Sequence, residues 1–82
     1  MYYLRNKIPP MIEYKNLSGN SGVKSFEIGD TYIKIKFKDS NTIYTYSHKK
    51  AGRQHVENMK NLAIEGRGLS TYVAKNVSEL FD

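Results

Sequence analysis

The stretch TYIKIKFK, from Thr31 to Lys38, alternates apolar and polar side chains without a break. Successive side chains of a β-strand point to opposite faces, so Ile33, Ile35 and Phe37 share one face of a predicted strand. The apolar face predicts a sheet core, and the opposite face is either solvated or a surface for an anionic partner. That opposite face, called the basic face below, consists of Tyr32, Lys34, Lys36 and Lys38.

Two further strands are predicted beside this one, at Val23–Ile28 and at Thr42–Ser47. Gly29-Asp30 suits a two-residue hairpin turn between the first two strands. That turn places Phe26 opposite Ile33 and therefore on the same face of the sheet. The three strands form a predicted antiparallel meander.

The length of the loop before the third strand decides where its two tyrosines, Tyr44 and Tyr46, point. An even loop places Tyr44 opposite Phe37, and both tyrosines then join the apolar face. An odd loop places Tyr44 opposite Lys36, and both then join the basic face, because a shift of one residue reverses every side chain. The need of a small domain for apolar burial favours the even loop, but the pattern permits either.

After His48 the spacing of apolar residues changes from two to three and four, which predicts helices. The first helix is expected to begin between Ala51 and Arg53 and to end at Gly66, where glycine accommodates a positive φ. A second helix is expected to open near Gly68. The two apolar stripes consist of His55, Val56, Met59, Leu62 and Ala63, and of Leu69, Tyr72, Val73, Val77 and Leu80.

Residues 1–22 are predicted to be an extended arm that ends in the Gly/Ser turn Ser18–Gly22, because Pro9 and Pro10 disfavour a regular helix there. Residues 23–82 are predicted to be a single domain. The expected fold is therefore α+β, with a three-stranded antiparallel β-meander packed against two C-terminal helices. The arm carries apolar and aromatic candidates for an interaction surface, namely Tyr2, Tyr3, Leu4 and Ile8.

The composition argues against several classes of protein. The 82 residues contain no cysteine, so neither disulfides nor thiolate chemistry is expected, and a cytoplasmic location is predicted. No segment is apolar for long enough to predict a membrane span. The only histidines, His48 and His55, lack the spacing of a metal pair, and no catalytic motif is present. We therefore expect no metal, no cofactor and no enzymatic activity.

The net charge of +5 is concentrated in one part of the sequence. Between Thr31 and Arg53 six basic residues accompany one acid, Asp39, whereas the rest of the chain carries seven of each. Lysines two residues apart on a strand are separated by about 6.5–7 Å, comparable to the spacing of phosphates along a nucleic-acid strand. The candidate nucleic-acid-binding residues are Tyr32, Lys34, Lys36, Lys38, Lys49, Lys50 and Arg53.

The order of elements resembles a known family. A meander that ends in Tyr44-Thr45-Tyr46, then a helix, then a glycine-rich break and the segment GLSTYVAKNV from Gly68 to Val77, is similar to the KTSC domain. That domain is named for its occurrence at the C-terminus of some lysyl-tRNA synthetases and also occurs as a free-standing small protein. The resemblance covers roughly Val23 to Phe81, and it implies the meander-plus-helices fold but no activity.

Two functions are consistent with these patterns. The first is a non-enzymatic protein-interaction or assembly module, with a partner protein or a second copy as its ligand. The alternative is RNA or single-stranded nucleic-acid binding through the basic face and the start of the first helix. Tyrosines on that face would supply stacking surfaces for bases, each worth about 1–3 kcal/mol.

Overall fold

The sheet built around TYIKIKFK contains four strands, in a computed structural model that describes residues 11–82. All neighbouring strands are antiparallel, and their order in the sheet is their order in the chain. The sequence predicts three of them, and the α+β class is confirmed. The strands are β1 (Ile12–Glu13), β2 (Val23–Ile28), β3 (Tyr32–Phe37) and β4 (Ile43–Ser47).

The extra strand comes from the segment predicted to be an arm. Ile12 pairs with Phe26 and Glu13 pairs with Ser25, so β1 lies at the outer edge of β2. Tyr14 follows and is buried, and its hydroxyl accepts a hydrogen bond from the Leu69 backbone N–H at 3.3 Å. A two-residue strand has too few side chains to show a period of two, and for this reason the sequence pattern does not reveal it.

The helical layer consists of α1 (Arg53–Glu65) and α2 (Leu69–Tyr72), and α2 continues into a π-helical turn, Val73–Val77. Helix α1 ends at Gly66, as predicted, where the backbone is left-handed with a φ of 90°. The Gly66 N–H donates to the Leu62 carbonyl at 2.9 Å and closes the last turn. The helices contribute the apolar side chains that cover the sheet.

The β2–β3 hairpin has the predicted faces but a register displaced by two residues. Gly29 N–H donates to the Tyr32 carbonyl at 3.0 Å, so Asp30 and Thr31 form the connection in place of Gly29 and Asp30. Phe26 consequently pairs with Ile35 rather than with Ile33. A displacement of two preserves the face of every side chain.

The β3–β4 loop has the parity of the even loop, in which Tyr44 and Tyr46 share the face of Ile33 and Ile35. Tyr44 lies opposite Ile35 and Tyr46 opposite Ile33, two residues from the pairing that the even loop predicts. Both tyrosines therefore face the helices, and Tyr46 is only 2% exposed. The stacking role that the odd loop would give them on the basic face is thereby removed.

The core lies between the sheet and the helices and draws on every described element except β1, whose two residues are exposed. A bulge between Val23 and Ser25 lets both Val23 and Phe26 face the core, although they are three residues apart. The buried apolar side chains are Tyr14, Val23, Phe26, Ile33, Ile35, Tyr46, Ala51, Val56, Met59, Ala63, Leu69, Val73 and Val77.

The substitution Gly66→Ala is expected to destabilise the fold by at least about 1–2 kcal/mol, the usual cost of a left-handed backbone for a residue with a Cβ. A Cβ at Gly66 would also lie 2.7 Å from the Lys15 Cβ. Urea unfolding measures the loss. The matched control is Gly22→Ala, where no atom lies within 4 Å of the added carbon. Equal stability of the two variants would contradict this account.

Candidate interaction surfaces

Three residues of the basic face lie together on β3, directed away from the helices. Lys34 Nζ lies 5.7 Å from the centre of the Tyr32 ring, within the range of a cation–π contact. Lys36 Nζ donates to the Ser40 carbonyl at 2.9 Å and is thereby held towards the β3–β4 turn. These side chains are half-buried rather than freely extended.

A carboxylate occupies the middle of the same face. Glu27 is opposite Lys34 across the β2–β3 pair, is 7% exposed, and accepts a hydrogen bond from the Tyr32 hydroxyl at 2.8 Å. That hydrogen bond raises the pKa of Tyr32, with smaller contributions from burial and from the negative charges of Glu27 and Asp30. Tyr32 is thus engaged by the protein itself, and the field of the lysines is partly offset.

Glycine at position 29 is what permits this arrangement of Tyr32. A Cβ on Gly29 would lie 2.1–2.7 Å from three carbons of the Tyr32 ring. The ring therefore lies directly over Gly29 while its hydroxyl reaches Glu27. A side chain at position 29 would push the ring away from the carboxylate.

The other basic candidates are distributed between the two ends of the sheet. Lys38 is exposed just after β3, at the end that holds the β3–β4 turn. Lys49 and Lys50 are exposed in the turn after β4, and Arg53 is exposed at the first residue of α1. A six-residue strand extends about 20 Å, so the two groups are well separated. The basic excess is local in sequence but does not form one continuous patch.

A polar junction joins the turn after β4 to α1 and to the β2–β3 turn. Glu57 lies 2.7 Å from His48 Nε2 and 2.9 Å from Lys60 Nζ. Lys60 Nζ also donates to the Asp30 carbonyl at 3.1 Å. The hydrogen bond from Lys60, and then that from His48, hold the pKa of Glu57 below its usual value. This network fixes the turn after β4, α1 and the β2–β3 turn to one another.

The second histidine belongs to a separate contact between α1 and α2. His55 Nδ1 lies 2.7 Å from the Tyr72 hydroxyl, and Asn58 Nδ2 donates to the same oxygen at 3.0 Å. The two histidines are thus used in different networks. His48 holds the turn after β4 against α1, and His55 holds α2 against α1.

An open apolar cavity of about 320 Å³, called the aromatic groove below, lies beside β4. Its apolar lining is Phe37, Tyr44, Tyr46, Val73 and Phe81, and Ser40 and Ser78 complete it. Phe81 packs edge-on against Tyr44, with ring centres 4.9 Å apart, and against Tyr46 at 6.3 Å. Burial raises the pKa of Tyr46, with Tyr44 a second cause, so the Tyr46 phenol stays neutral at physiological pH.

A second apolar groove, of about 300 Å³, lies at the other edge of the sheet between β1 and α1. Ile12 and Ile64 flank it and are 56% and 59% exposed. Phe26, Ile28 and Ala63 contribute to its apolar lining. We call it the β1 groove.

Sequence patterns identify some of these residues and miss others. The interaction candidates Tyr2, Tyr3, Leu4 and Ile8 lie outside the described residues. Phe81 is missed because it falls after the last helical repeat, although an aromatic residue at the end of an amphipathic stretch is itself a signal. Ile64 is missed because it follows the buried Ala63 on a different side of the helix. Ile12 is missed together with the short strand that carries it.

Residues 11–82 contain neither a membrane-spanning helix nor a metal-binding cluster. No helix in this range is long and apolar enough to cross a membrane. Within the same range, no group of three or more His, Asp or Glu residues is arranged to hold a metal ion. Comparisons with protein-family models, with curated proteins and with solved structures found no match for the chain.

The polar junction predicts a specific pH dependence of stability. A carboxyl group whose folded pKa is lowered stabilises the fold above its unfolded pKa, and this contribution is lost as the pH falls through the folded pKa. The stability difference between the intact chain and Glu57→Gln should therefore be present at neutral pH and should shrink below about pH 4.5, the ordinary value for glutamate.

Urea unfolding from pH 7 to pH 3 measures this difference. Glu65→Gln is the control, since Glu65 is an exposed residue at the end of the same helix. A difference that stays constant across the pH range would show that Glu57 does not stabilise the fold through its charge.

Proposed function

We propose that this domain is a non-enzymatic protein-interaction module whose contact surfaces are the two apolar grooves. The observation that supports it best is that both open edges of the sheet lie beside an apolar cavity of about 300 Å³. Phe81 at one edge and Ile12 and Ile64 at the other leave 37–59% of their surfaces exposed. Apolar surface of this kind commonly marks contact sites.

Because both grooves lie at edges of the sheet, each could bind a partner segment that adds to the sheet as a strand. An edge strand offers backbone N–H and C=O groups to an added strand, and an adjacent pocket can select the side chains of that strand. Either a partner protein or a second copy of the chain can supply the added segment. The basic groups near the end of β4 add a preference for acidic partners.

The KTSC resemblance and a cytoplasmic location are part of the same proposal. The resemblance is supported by the antiparallel strands followed by α1, the glycine break and a second helical segment. The location is supported by the lack of cysteine, because such a chain needs no oxidising compartment.

The proposal predicts that the domain enriches short sequences from a display library of random peptides. Ile12→Ser with Ile64→Ser should weaken the peptides that bind the β1 groove about tenfold or more, as expected for a central contact. Asn61→Ser, an exposed site on α1, is the control. Sedimentation of the intact chain tests for self-association. A monomer that enriches no peptide would overturn the proposal.

Nucleic-acid binding is the second candidate, and it is supported by the exposed cations Lys38, Lys49, Lys50 and Arg53. It is weakened by the Glu27 carboxylate within the basic face and by the packing of Tyr44 and Tyr46 on the opposite, helix-facing side, which leaves fewer surfaces for stacking bases.

If the domain binds a labelled single-stranded oligonucleotide through phosphates, the affinity must fall steeply with salt concentration. Lys49→Gln with Lys50→Gln should reduce the slope of log K against log salt by about 1.4, from about 0.7 for each phosphate contact. Arg67→Gln with Lys75→Gln is the control at exposed sites in the helical region. A lack of binding at low salt would remove this candidate.

A further inference from the structure

Strand β4 presents one row of backbone groups to the open edge of the sheet. The His48 N–H donates to the Thr31 carbonyl at 2.8 Å and sets the alternation of the β3–β4 ladder. In an antiparallel pair, every second residue bonds to its neighbour strand and the residues between them face away. The backbone groups that face away from β3 therefore belong to Ile43, Thr45 and Ser47.

Phe81 and Asp82 already occupy part of this edge. The Asp82 N–H donates to the Thr45 carbonyl at 2.7 Å, and the Ser47 hydroxyl donates to the Asp82 carboxylate at 2.8 Å. Phe81 packs against Tyr44 on the helix-facing side of β4. An aromatic side chain on one face and a carboxylate on the other is the alternation of an added strand.

Phe81 and Asp82 fill only part of this site, so a longer segment would make more contacts with it. Phe81 is 37% exposed, and the aromatic groove beside it remains open. Within residues 11–82, no backbone hydrogen bond reaches the outer side of Ile43, whose side chain is 47% exposed. A segment with three or four residues in extended conformation would pair with more of β4 and fill more of the groove.

Charge favours an acidic residue at one end of this site. Lys50 N–H donates to the Ser47 hydroxyl at 3.2 Å, so the hydroxyl is oriented towards the Asp82 carboxylate. Lys49 and Lys50 are exposed in the turn that begins at this point. Their charges attract a carboxylate placed beside Ser47, although each exposed pair contributes only about 0.2–1 kcal/mol.

We propose that the β4 edge binds an extended segment of a partner protein in which an aromatic residue is followed by an acidic residue. The segment takes the place of Phe81 and Asp82, with its aromatic ring in the aromatic groove and its carboxylate beside Ser47. This inference rests on the proposed interaction function and names the ligand class of one of its two grooves.

The test uses a fluorescein-labelled peptide of sequence SELFD, the chain's own residues 78–82, as the probe. Because Phe81 and Asp82 compete for the site, the 82-residue chain with Phe81→Ser should bind the peptide about tenfold more tightly than the chain without this substitution. Fluorescence anisotropy measures the affinity. The peptides SELAD and SELFN, which lack the ring and the carboxylate, should bind more weakly to the same variant.

A second substitution, added to Phe81→Ser, tests strand addition itself. Thr45→Pro removes an outward N–H and leaves the bonds to β3 intact, because proline is tolerated at an edge strand whose N–H faces outwards. It should abolish peptide binding, whereas Thr45→Val should preserve it. Should the proline variant unfold, Lys49→Gln with Lys50→Gln gives an independent test and should weaken binding about threefold to tenfold at low salt.

Backbone amide shifts in NMR spectra distinguish the outcomes. Peptide-induced shifts at Ile43, Thr45 and Ser47 support the inference. Shifts confined to Ile12 and Ile64 overturn it while leaving the interaction function in place, since the β1 groove would then be the site. Failure of SELFD to bind Phe81→Ser overturns the inference, and the peptide library decides the interaction function separately. If the intact chain is a dimer and Phe81→Ser dissociates it, the inference of a partner protein is overturned, because a second copy of the chain is then the occupant.

Discussion

The burial of Ile33 and Ile35 on the helix-facing side of β3 is the constraint on which the rest of the structure depends. Both side chains are completely buried in the middle of the sheet, where β2 and β4 flank them. Every neighbouring strand must therefore present its apolar side chains on the same side. Tyr44 and Tyr46 line the aromatic groove because they pair with Ile35 and Ile33 and so lie on the same face of the sheet.

The face of each residue was predictable from the sequence, whereas the register was not. Both hairpins are displaced by two residues, a change that no alternation of apolar residues can detect. In β2–β3 the choice depends on Tyr32, whose ring needs the space above Gly29 to reach Glu27. Such contacts combine residues from both strands and the turn, and a local pattern contains none of that information.

The sequence predicts which residue types form the candidate surfaces better than it predicts where those residues lie in the fold. A local excess of lysine in the sequence became two separated groups, because β3 carries Lys38 to one end of the sheet and β4 carries Lys49 and Lys50 to the other. The aromatic groove requires Phe81 to meet Tyr44, 37 positions earlier in the chain. Contacts over such separations follow from the topology and cannot be derived from the spacing of motifs.

The segment around Tyr14 has a consequence for how the chain folds. The Leu17 N–H donates to the Gly66 carbonyl, and the Tyr14 hydroxyl accepts from the Leu69 N–H, so residues about 50 positions apart close the junction between α1 and α2. Contacts of such sequence separation raise the contact order and slow the search for the native state. The meander needs only neighbouring strands, whereas the Tyr14–Leu69 hydrogen bond needs both the segment that follows β1 and the start of α2 in place. The β1 segment and α2 are then expected to open together as one cooperative unit, and local unfolding at either would expose the same part of the core.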